Sequence, residues 1–90
     1  MAQAVVDPTE LRRFAANVKR FNNELQQQAG ALHAQLLALA ETWRDQEHDR
    51  FSEEFELMLK DIARFVEVSD VHVPFLLRKA ERVEEYLGQR

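Results

Sequence analysis

The chain predicts an all-α fold, an antiparallel two-helix hairpin that dimerises into a four-helix bundle, and three observations carry that prediction. Apolar residues recur at steps of three and four along two long segments. A polar stretch rich in cap-forming residues separates those segments. Only two glycines and two prolines occur in 90 residues, too little material for the turns of an all-β fold.

Ninety residues make one domain with a small core, unless a partner contributes surface. There is no cysteine, so neither a disulfide framework nor a thiolate metal site is open to it. Twelve basic side chains stand against 16 acidic ones, a formal net charge of −4. That balance argues against nucleic acid as the main partner, because phosphate binding needs a concentrated cationic surface. No apolar run approaches the roughly 20 residues of a bilayer span, so no membrane span is expected. The N-terminus has neither a basic nor an apolar leader, so the protein is expected in the cytoplasm or secreted without a cleaved signal peptide.

Residues Met1 to Val6 form an unpatterned lead, expected to be mobile. The first helix is predicted from about Pro8 to Thr42, with Asp7 as N-cap, Pro8 at the first helical position and Glu10 three residues after the cap. Its apolar stripe runs through Leu11, Phe14, Val18, Phe21, Leu25, Ala29, Leu32, Leu36, Leu39 and Trp43. Such a helix would be about 50 Å long at 1.5 Å per residue.

The turn is placed at about residues 43–46. Trp43, the only tryptophan, closes the first stripe and Phe51 opens the second, with no aliphatic residue between them. Asp45 is positioned as N-cap of the second helix, and Glu47 and Asp49 suit its positive end.

The second helix is predicted over about residues 46–87. Its stripe runs through Phe51, Phe55, Met58, Ile62, Phe65, Ser69, Val73, Leu76, Ala80, Val83 and Leu87. Each stripe contains one 4-4 step, a stutter. Folding the chain so that Trp43 meets Phe51 sets Leu25 opposite Ser69 and Ala29 opposite Phe65, with the stutters facing each other. Pro74 predicts a kink near residues 70–74, with a full break as the alternative.

More apolar surface remains than one hairpin covers. Leu57, Val68, Phe75 and Tyr86 fall together on a helical wheel, away from the main stripe, and Leu37 lies beside the stripe of the first helix. These five are the candidate interaction face, which a second hairpin would bury; the plainer reading is scattered surface residues. Residues 41–61 carry eight acidic groups against Arg44, Arg50 and Lys60, while Arg12, Arg13, Arg78, Lys79 and Arg82 gather at the open end. Two copies lying head to tail would set each acidic tip beside a basic end.

Two long helices with a tryptophan in the turn, Trp43-Arg44-Asp45, and an aromatic, Phe51, early in the second helix resemble the Trp-X-Gly (WXG-hundred) family of type VII secretion hairpin proteins. The resemblance covers nearly the whole chain, with Asp45 where the family has glycine. It implies a homodimer, or a heterodimer with a related hairpin, in a four-helix bundle without enzymatic activity. It further implies a protein exported folded or serving an exported partner, with a secretion ATPase as a possible partner. The family's export signal is a C-terminal Tyr followed four residues later by an acidic group; here Tyr86 is followed by Leu87, Gly88, Gln89 and Arg90.

Enzyme readings find little support. Asp45 and His48 form one carboxylate-histidine pair at helical spacing, but at a polar helix start rather than facing inward from mid-helix as bundle metal sites do. His33 and His72 fall out of register, Ser52 and Ser69 are isolated, and no Gly-rich phosphate loop occurs. No catalytic residue, metal or cofactor is therefore assigned. The expected function is protein-protein binding through dimerisation, with a cytoplasmic structural adaptor free of any secretion role as the alternative.

Overall fold

A computed structural model describes residues 6–88; the remainder of the expected N-terminal lead, residues 1–5, and residues 89–90 lie outside the described residues. Two helices make up the fold, α1 over Pro8–Leu39 and α2 over Gln46–Gly88. They pair antiparallel along their length, since Arg12 meets Glu84, Asn22 meets Asp70, and Trp43 meets Phe51. The hairpin measures 68 × 21 × 16 Å with a radius of gyration of 20.3 Å. A compact chain of this length would have about 12 Å, so most residues lie near the surface.

Both helix starts use the chemistry their sequences offer. Asp7 is extended (φ −80°, ψ 115°) and its carboxylate accepts from the Thr9 amide at 2.9 Å, with Pro8 opening the helix. Glu10 does not reach back to the cap; its carboxylate pairs with Arg13 at 3.4 Å. At the start of α2, Asp45 Oδ1 accepts from the His48 amide at 3.0 Å, which closes a donor that would otherwise be orphaned.

Helix α1 ends at Leu39, three residues before the expected Thr42. The backbone tightens there, the amides of Ala40, Glu41 and Thr42 donating to the carbonyls three residues back, before Trp43 returns to Leu39 at 2.8 Å. No described residue has positive φ, so the connection is made without a left-handed cap. Helix α2 is continuous through Pro74.

The core differs in detail from the predicted stripe. Phe14, Phe21, Met58 and Phe65 are all more than half exposed, whereas Ala15, Asn22, Leu36, Val66 and Ala80 are buried. The seam therefore runs along Ala15, Asn22, Ala29 and Leu36 in α1 and along Ser52, Leu59, Val66, Val73 and Ala80 in α2, each at seven-residue spacing. A second line, Leu11, Val18 and Leu25 against Phe55, Ile62, Ser69 and Leu76, flanks it; the three-four alternation is regular through α2, whereas in α1 His33 rather than the exposed Leu32 follows Ala29 inward, leaving one 4-4 step. The reason is steric: small side chains at Ala15, Ala29 and Ala80 let the backbones approach, and phenylalanine rings are displaced to the flank. The pairing shifts with it. Phe65 packs edge-to-face on Phe21 with ring centroids 6.2 Å apart, not opposite Ala29, which shares a groove with Leu59 and Ile62.

Candidate functional site

The two flanks of the seam differ in chemistry. On one, α1 and α2 are joined by polar contacts. Arg12 Nε donates to Glu84 Oε2 at 3.2 Å and a terminal guanidinium nitrogen donates to Oε1. That hydrogen-bonded pair holds the Glu84 carboxyl below its usual range and the Arg12 guanidinium above its own. Lys19 Nζ lies 3.9 Å from Asp70 Oδ1, and His33 Nε2 lies 3.4 Å from Glu56 Oε2. Asn22, fully buried in the seam, donates through Nδ2 to Asp70 Oδ1 at 3.0 Å, while its own Oδ1 accepts from no described group. An unsatisfied buried acceptor costs roughly 1–3 kcal/mol.

The opposite flank is aromatic. Phe14, Phe21, Phe65 and Phe75 border an open cleft of about 630 Å³ whose floor is Val18 and Leu76, with Asn17, Ser69 and His72 as its polar lining. Of the five residues expected on the interaction face, Phe75 lines this cleft. Leu37, Leu57, Val68 and Tyr86 are also exposed but lie outside it. Hydrophobic periodicity alone hides the cleft, because it assigns Phe14, Phe21 and Phe65 to the core rather than to a flank. The seven-residue recurrence of Ala15, Asn22, Ala29 and Leu36 was the signal that would have exposed them.

At the closed end, Trp43 is half-buried. Its ring meets His48 edge-on at 4.9 Å and Phe51 at 6.2 Å, and Phe51 stacks on Phe55 at 5.8 Å. His48 is buried beneath the indole, its Nε2 3.5 Å from Ser52 Oγ and its Nδ1 3.8 Å from Asp49 Oδ1. Arg44 Nε donates to the Ala40 carbonyl at 3.0 Å, covering an orphan acceptor at the end of α1. The motif thus divides its labour: Trp43 packs, Arg44 caps α1 and Asp45 caps α2. The Asp45 carboxylate is engaged by backbone, not by the His48 ring. Among the described residues no group of three or more His, Cys, Asp or Glu side chains is arranged to hold a metal ion, and no helix is long and apolar enough to cross a membrane.

The described residues thus form an elongated helical hairpin with an aromatic tip and one apolar flank. The family model described as "Proteins of 100 residues with WXG" matches residues 3–86, and the chain belongs to that family of small helical proteins linked to type VII secretion. No curated protein and no solved structure matches the chain.

Proposed function

We propose that this chain acts by binding other proteins, as a dimer of hairpins packed into a four-helix bundle, and without catalysis. One observation supports this most: burial is one-sided. In the seam Ala15, Leu36, Val66 and Ala80 are buried, while Phe14, Phe21, Phe65 and Phe75 on the aromatic flank remain about half exposed. Covering the eight half-exposed rings of two copies would gain on the order of 6–12 kcal/mol, comparable with an association cost of about 4–15 kcal/mol. The acidic tip and basic open end favour a head-to-tail arrangement. A second copy is the simplest partner, and a related hairpin is the other. Pro74 lies beside the cleft and deprives the Asp70 carbonyl of its helical donor. A bend over residues 70–74 would tilt the end of α2 relative to such a partner.

The tip is the second binding element of this reading. Trp43 and Phe51, held by the caps at Arg44 and Asp45, would anchor a component of the secretion machinery such as its ATPase. The chain would then leave the cell without a cleaved signal peptide. A cytoplasmic adaptor role is favoured by one feature, the basic Arg90 four residues after Tyr86 where the family's export signal is acidic. The two separate in one experiment. Secretion predicts protein in the culture supernatant that disappears when the export ATPase is deleted. An adaptor stays in the lysate in a fixed complex, whether or not the ATPase is present, and that result would discard the secretion reading.

A further inference from the structure

We propose that Asn22, Asp70 and Lys19 lock the register in which the two helices pair, and thereby hold together the aromatic cleft on the opposite flank. The seam itself does not choose a register. Its buried and half-buried positions recur every seven residues in both helices, at Ala15, Asn22, Ala29 and Leu36 and at Leu59, Val66, Val73 and Ala80. Sliding α2 by seven residues, about 10 Å, therefore returns small and aliphatic residues to the seam. The six-residue connection does not forbid the slide either. In an antiparallel pair a seven-residue slip moves the turn by half that amount, so about one helical turn would be rewound at the tip.

The polar flank does discriminate. Along α2 its residues alternate in kind every seven positions: Glu56, Ala63, Asp70, Leu77, Glu84. In the observed register the acids meet Arg12, Lys19, Asn22 and His33. A slip of seven in either direction replaces Asp70 opposite Asn22 by Ala63 or Leu77, and neither side chain accepts a hydrogen bond. Asn22 is fully buried, so water does not substitute for the lost partner. A slip of fourteen would restore an acid but would give up about 20 Å of paired helix. On the other flank, the same slip of seven would present Met58 or His72 to Phe21 in place of Phe65 and dismantle the cleft. The lock acts whatever occupies that cleft.

The chain has no cysteine, so spin labels can be placed at Arg13→Cys and Arg64→Cys, both exposed and outside the seam. Diluting labelled with unlabelled protein restricts the reading to distances within one chain. The wild-type contacts predict one distance population. Moving the acid by one repeat, with Asp70→Ala and Leu77→Asp, is expected to lengthen that distance by about 10 Å. Asn22→Leu, which removes the buried member of the lock and leaves only the exposed pairs, is expected to give two populations separated by about the same amount. Either variant retaining the single wild-type distance overturns the proposal.

Discussion

A tryptophan at a helix-helix turn can serve either as seal of the core or as anchor for a partner, and Trp43 stands at that choice. Its half-buried ring rests on His48 and Phe51, so it covers the tip without filling a closed core. Truncating a fully buried tryptophan costs about 3–5 kcal/mol. We predict that Trp43→Ala loses less than about 2 kcal/mol, half or less of that figure, and remains helical and dimeric while losing partner capture or export. Chemical denaturation and pull-down on the same variant decide it. Unfolding, or intact capture, would return Trp43 to a packing role. Asp45 and Asp7 were legible from sequence because capping is local chemistry. The burial of His48 was not, because it depends on where the indole settles after the turn closes.

At the scale of the helix, the Asp45 carboxylate caps the start of α2. The position is the N-cap of α2, where aspartate and glycine both serve and alanine does not. Asp45→Ala should therefore destabilise the hairpin by about 1 kcal/mol, and Asp45→Gly by only a few tenths. Thermal or chemical denaturation of the pair gives the ordering, and equal losses would show that the cap contributes nothing specific. The extent of both helices was readable from caps and periodicity, save the last turn of α1. Its end at Leu39 follows from backbone tightening over Ala40 to Thr42, which no side chain announces.

For the molecule as a whole, the hairpin was legible and its facing was not. A broad apolar stripe permits more than one line of closest approach, and scoring by hydrophobicity favours Phe14 and Phe21 over Ala15 and Asn22. Close packing of two backbones reverses that preference, because the contact line admits only small or well-fitted side chains. The consequence is a flank of phenylalanines beside a seam with few buried residues, Ala15, Leu36, Val66 and Ala80 being its apolar ones. So small a core suits a fold completed by association, in which folding and dimerisation are linked.

Sedimentation equilibrium of the wild-type protein beside a Phe21→Lys variant tests this most directly. Phe21 lies on the aromatic flank, so the lysine would place a charge where a second hairpin should pack, while leaving the seam intact. The wild type should sediment at about twice its 10.6 kDa chain mass at micromolar concentration, with a melting temperature that falls on dilution, and the variant should sediment as a helical monomer. A wild-type monomer whose melting temperature is unchanged by dilution, or a variant that dimerises as tightly as the wild type, would contradict the account.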